Sequence, residues 1–183
     1  MPGHLKGDRL PLSIIPYNGR RPSVDPSAFI DPTSRLVGFV KVGRGSAVFY
    51  GSVLRAEEGE VWIGEHVAIL EHCLVEAPSG VRVTIGDGSL ISHRAVVHGA
   101  SIGRGALVGI GAILLDGAEV GDEAMVAAGT VVPSGFKVEP RSLVAGVPAR
   151  LVRRLSEDEV NAIESSLEEA LRKAERYKQL IKL

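Results

Sequence analysis

Residues Ile85 to Ile102 read IGDGSLISHRAVVHGASI, and the spacing inside this stretch decides the fold. Aliphatic side chains recur every six residues at Ile85, Ile91 and Val97. After a five-residue step to Ile102 the same period carries on through Val108, Leu114, Val120, Val126, Val132, Val138 and Val144. Upstream it runs through Ile63, Ile69 and Val75, and before that from Val24 to Leu54. Four positions after each of these anchors the residue is mostly small, as at Ser34, Ser46, Ser52, Cys73, Ser89, Ala95 and Ala112. A period of six fits neither a helix at 3.6 nor a two-faced strand at 2. It fits a solenoid in which each hexapeptide forms one side of a triangular coil, with the aliphatic inside and the small residue at the corner. The prediction is a mainly β chain: a left-handed parallel β-helix of hexapeptide repeats with a C-terminal α-helix on its side.

Three hexapeptides close one coil, so every third anchor should stack. Gly43, Gly64, Gly86, Gly103 and Gly121 each follow an anchor by one position and fall in one column. Glycine tolerates positive φ, so the column predicts a corner that needs it. Two intervals break the period: Leu54 to Ile63 and Val75 to Ile85. Both are expected to be loops thrown out at a corner, where function collects on rigid scaffolds.

The chain divides into an arm over residues 1–23, a β-helix over 24–150 and a helix over 151–183. The proline-punctuated arm is expected to reach the first coil, with Leu12, Ile14, Ile15 and Tyr17 available to cover its open end. Ser156 and Glu159 form a capping box, with Glu157 and Asp158 at the positive end of the helix dipole. Val160, Ile163, Leu167, Ala170, Ala174, Tyr177 and Ile181 then make one apolar stripe, predicted to lie on a flank of the solenoid.

The 183 residues carry a net charge of −1, which argues against nucleic acid or an anionic membrane as partner. Aromatic residues make up only 4%, as a narrow prism filled by Val, Ile, Leu and Ala requires. The single cysteine, Cys73, sits at an inward small-residue position and excludes a disulfide framework. No apolar run approaches the roughly 20 residues of a membrane helix, and the N-terminus has no signal-peptide core. The expectation is a cytoplasmic protein.

Stacking places Arg55, Glu76 and His98, each one position after an anchor, in a column with about 4.8 Å between neighbours. His93, two positions after Ile91, belongs to a different side and does not readily meet His98 within one chain. A metal using Glu76, His93 and His98 therefore takes His93 from a neighbouring subunit, and three prismatic solenoids side by side provide that arrangement as a homotrimer. His₂Glu suits Zn²⁺, with Fe²⁺ or Co²⁺ as alternatives. Such a metal lowers the pKa of its water to about 7. The competing reading pairs Glu76 with Arg55 as an ion pair and leaves both histidines as hydrogen-bonding groups. His4, His66 and His72 fall outside the column and read as solvated or loop residues.

From about Tyr17 to its end the chain resembles the γ-class carbonic anhydrases, including the group often labelled ferripyochelin-binding proteins. The resemblance is carried by NGRRPSVDPSAFI, VLRAEEGEVWIG, SHRAVVHGASIG, GVPAR and the C-terminal helix. It implies a trimer with zinc or iron held between subunits by three histidines, hydrating CO₂ to bicarbonate. His93 and His98 match the second and third histidine, while the first falls on Glu76. Arg55 matches the family's interface arginine, and Glu57 stands where an aspartate is usual. The family's Asn-Ile-Gln-Asp segment reads Ala68, Ile69, Leu70 and Glu71 here, so the water-orienting glutamine is replaced by Leu70. The resemblance thus implies Arg55, Glu57 and Glu71 as catalytic groups around a changed site. Two other functions remain open: a catalytically silent trimeric scaffold, and a coenzyme A-dependent hexapeptide acyltransferase, since VAGVPAR also closes solenoids of that class.

Overall fold

The computed structural model describes residues 13–181. The prism is built by its pairing: every strand of the solenoid runs parallel to the strand one coil away. One 12-stranded sheet covers two sides, and an 8-stranded sheet forms the third. The anchors point inward as their period requires: Leu36, Leu54, Ile91, Val97 and Leu114 are each 0% exposed. Each such side chain contributes about 1.5–3 kcal/mol through burial. The small corner residues are buried beside them, and their hydroxyls tie coil to coil. Ser52 Oγ donates to the Leu70 carbonyl at 2.7 Å and accepts from the Cys73 amide at 3.1 Å. Ser46 and Ser89 repeat the device. Cys73 is itself buried, and burial pushes its thiol up to about 12.

The glycine column exists for a different reason from the one expected. Gly43, Gly64, Gly86, Gly103 and Gly121 do not have positive φ. A Cβ on Gly86 would lie 2.6 Å from the backbone carbon of Gly103, and one on Gly43 would lie 2.5 Å from the Gly64 oxygen. Stacked coils approach too closely there for any side chain. Positive φ falls instead three residues after an anchor, at Gly45, Gly51, Gly88, Gly105 and Gly111. His66, His72 and Arg94 occupy equivalent positions with φ of 51, 60 and 59°. His66 and His72 are thus exposed turn residues, while His4 and Leu12 lie outside the described residues.

The interval from Leu54 to Ile63 is not a loop. Val53–Ile63 is one continuous 11-residue strand. Its first part pairs with Leu74–Glu76 and its second with Arg82–Ile85, so it turns the corner without breaking and joins two sides of the prism. The extra residues are absorbed as added strand because both neighbours supply hydrogen-bonding partners. The Val75–Ile85 interval does leave the sheet, turning where the Val81 amide bonds the Pro78 carbonyl at 3.0 Å.

At the N-terminal side, Ile14–Ile15 pairs in parallel with Leu36 and Val37, and Ile14 packs on the core. At the other end, Arg150–Arg154 forms an antiparallel strand against Ser142–Ala145 before the helix begins at Glu157. The capping box closes as the sequence requires: the Ser156 amide donates to Glu159 Oε2 at 3.0 Å, and the Glu159 amide to Ser156 Oγ at 3.3 Å. Ile163, Leu167, Ala170 and Ala174 are the buried face of the Glu157–Ile181 helix. It lies over Phe29, Ala47, Phe49, Ala68 and Leu90 of the 8-stranded sheet.

The three sides of the prism are chemically different on their outer surfaces. One lies under the helix. A second presents Thr84, Ser101, Glu119 and Lys137 to solvent. The third presents Val53, Leu74, Val96, Ile113 and Val131, stacked in register and half-exposed. That aliphatic ladder is edged by Arg55, Glu76 and His98.

Candidate functional site

The column expected from the period is present. Arg55 is the register partner of Glu76, and Glu76 of His98. Residues one position past an inward anchor point outward, so all three side chains stand on the edge of the aliphatic side. Glu76 turns towards Arg55: its Oε1 accepts from the guanidinium, and this contact holds the Arg55 pKa above its ordinary value. Glu57 Oε2 lies 3.6 Å from Arg55 Nε. His98 turns the other way, its Nδ1 lying 2.6 Å from Asp116 Oδ1 on the next coil. Asp116 was not among the residues singled out by the sequence. It lies two positions past its anchor, not one, and only the three-dimensional offset between coils brings it level with His98.

His93 stands at a different corner. Its Nε2 is 2.9 Å from Glu71 Oε2, and its Nδ1 is 3.4 Å from Ser92 Oγ. The Glu71 oxygen is buried and has no hydrogen-bond partner. The contact to His93 is therefore close without the alignment of a hydrogen bond. Tyr50, one coil below, feels the same carboxylate: the negative charge of Glu71 raises its pKa. A cavity of about 290 Å³ opens beside this pair, under the C-terminal helix, lined by Leu70, Glu71, Ser92, His93 and Lys173. Leu70, which replaces the expected hydrogen-bonding residue, packs with Leu171 and the helix, and Ala68 is fully buried beneath it. The Ala68–Leu70 segment packs against the helix.

Among the described residues no three His, Cys, Asp or Glu side chains of one chain gather as a metal site. Two of the expected donors do suit a divalent metal. The contact of His98 Nδ1 with a carboxylate leaves Nε2 without a hydrogen bond to the described residues, an arrangement that suits a ligating histidine. Glu76 keeps one carboxylate oxygen without a hydrogen bond to the described residues.

Fold and column together define a hexapeptide-repeat β-helix protein with a carboxylate and an imidazole on adjacent rungs. The profile described as "Bacterial transferase hexapeptide (six repeats)" matches residues 99–134. A carbonic anhydrase from Geobacillus kaustophilus is 35% identical over 167 residues, covering 91% of this chain and 92% of its own. The carnitine operon protein CaiE of Escherichia coli K12 is 37% identical over 150 residues, covering 82% and 76%. A crystal structure of a hexapeptide transferase family protein from Anaplasma phagocytophilum superposes with a TM-score of 0.88 at 32% identity, over 92% of this chain and 99% of that one. The chain belongs to the hexapeptide-repeat β-helix family that includes this carbonic anhydrase. No helix among the described residues is long and apolar enough to cross a membrane.

Proposed function

We propose that the protein is a γ-carbonic-anhydrase-like trimer that holds a divalent metal, zinc with iron or cobalt as alternatives, between subunits and hydrates CO₂ to bicarbonate. Glu76 and His98 of one protomer and His93 of the next would hold the metal. The observation that carries this reading is the register pairing of Glu76 with His98, with His98 Nδ1 engaged by Asp116. The aliphatic ladder beside the column supports the trimer, because such a surface gains by being covered. The 35% identity to a carbonic anhydrase supports the reaction.

A bound metal supplies Lewis acidity, which makes water nucleophilic at neutral pH. The protein's own groups do the rest. Arg55, always charged, is placed to attract the anionic product. Glu57, half-exposed beside it, can pass the released proton to solvent. Leu70 offers no hydrogen bond to the reacting water, so turnover should be slower than with a glutamine there, by roughly 10- to 100-fold.

Elemental analysis of the purified protein, combined with stopped-flow CO₂ hydration, tests this. The expected result is one metal per protomer and measurable hydration. Protein that stays metal-free and inactive after zinc or iron is added sinks the reading. The Arg55–Glu76 ion pair then favours a silent trimeric scaffold instead. The transferase relatives keep an acyltransferase as a third reading, to be retired if acetyl-CoA fails to raise the melting temperature.

A further inference from the structure

We propose that Asp116 is a positioning residue that fixes the tautomer of His98, keeping the proton on Nδ1 and presenting the Nε2 lone pair to the face between subunits. The proposal rests on the metal reading for its purpose, but its physical content belongs to the metal-free protein. Two independent features build the contact. The first is the 2.6 Å separation of His98 Nδ1 and Asp116 Oδ1. An ionised carboxylate only accepts hydrogen bonds, so the imidazole nitrogen facing it must carry the proton.

The second is Gly99. A Cβ there would stand 2.2 Å from Asp116 Oδ1, and Gly99 has a φ of +61°. The position after His98 is therefore shaped to admit the carboxylate of the next coil. The Gly117 amide, directly after Asp116, bonds the Gly99 carbonyl at 2.8 Å and pins the aspartate's backbone at that level. Asp116 makes no ion pair with Arg or Lys among the described residues, and its only side-chain hydrogen bond there as acceptor from a side chain is to His98. A carboxylate bound to one imidazole nitrogen raises the donor strength of the other, which is how outer groups tune metal-ligating histidines.

The contrast with His93 sharpens the inference. There the nearby carboxylate lies against Nε2 and out of line with the ring N–H. His98 thus has its carboxylate on Nδ1, while His93 has its carboxylate on Nε2.

Selective ¹⁵N-histidine labelling and long-range ¹H–¹⁵N NMR at about pH 8, where imidazole is neutral, read the tautomer directly in chelator-treated protein. The parallel measurement is Co²⁺ affinity from its visible absorption. Wild type is expected to hold His98 as the Nδ1–H form. Asp116→Ala should shift it to a mixture and weaken Co²⁺ binding roughly 10- to 100-fold. Asp116→Asn, whose side-chain oxygen still accepts, should stay near wild type in both. An unchanged tautomer in Asp116→Ala overturns the proposal, whatever the metal does. A shifted tautomer in protein that binds no Co²⁺ upholds the positioning role and removes the metal reading. Unchanged Co²⁺ affinity despite a shifted tautomer leaves the metal reading standing and overturns the role of Asp116 in serving it.

Discussion

His98 and Glu76 are register partners on adjacent parallel strands, yet their side chains turn apart along the column: Glu76 to Arg55 on the coil before, His98 to Asp116 on the coil after. On the proposed metal reading, a divalent ion at this edge would compete with a guanidinium for the carboxylate, while the imidazole has its Nδ1 already engaged.

Arg55→Ala should therefore strengthen Co²⁺ binding. An exposed ion pair is worth about 0–1 kcal/mol, so the gain should be no more than roughly fivefold. Glu76→His removes the competition and the extra negative charge together, and should bind metal more tightly than wild type. Faster CO₂ hydration in that variant would locate the slowing at Glu76. Tighter metal binding without faster hydration would locate it at Leu70. Weaker metal binding in Arg55→Ala would mean that the guanidinium supports the site and does not compete for it.

The aliphatic ladder predicts where copies meet. Ile113→Glu puts a charge in its middle and should convert the proposed trimer to monomer in size-exclusion chromatography with light scattering. Ser101→Glu, on the polar side, should leave assembly unchanged. Dissociation by the second substitution and not the first would place the interface on the wrong side.

Two glycines separate crowding from backbone strain. Gly86 has ordinary φ, but a Cβ there meets the Gly103 backbone at 2.6 Å. Gly88 has φ +69°, with nothing closer than 3.9 Å. Gly86→Ala should cost about 2–3 kcal/mol by overpacking, and Gly88→Ala about 1 kcal/mol by strain. Urea midpoints measure both, and the reverse order would mean that the stacked coils part readily enough to admit a Cβ at Gly86.

The helix start should be acid-sensitive. Arg153 and the Ser156 amide hold the Glu159 carboxyl down to about 2, from an ordinary value of 4.5. A lowered folded-state pKa contributes stability that is present above about 4.5 and lost as pH falls towards about 2. Thermal melts followed at 222 nm should show helix stability falling across that window, and Glu159→Gln should flatten the dependence. An equal slope in both proteins would mean that other carboxylates dominate.

Much of this molecule can be read from spacing alone. The anchor period places the inward column from Leu36 to Val144, and counting by coils puts Arg55, Glu76 and His98 in one line. The stripe from Ile163 to Ala174 gave the buried face of the helix, and Ser156 with Glu159 gave its start. Where the reading failed, a residue type had two physical uses. Glycine serves both positive φ and close approach, and only the separation of stacked backbones told which applied at Gly86. The interval from Leu54 to Ile63 looked like a loop because it broke the period, but a strand flanked on both halves by partners needs no period to stay extended.

The sequence by itself determined the coil, its inward side chains and the identity of the stacked donors, because these follow from a repeat fixed along the chain. Only the tertiary structure decided which way Glu76 and His98 turn, that Asp116 from the following coil reaches the imidazole, and that Leu70 serves the helix. Those outcomes depend on small offsets between coils and on what packs across them, and a one-dimensional spacing does not encode either.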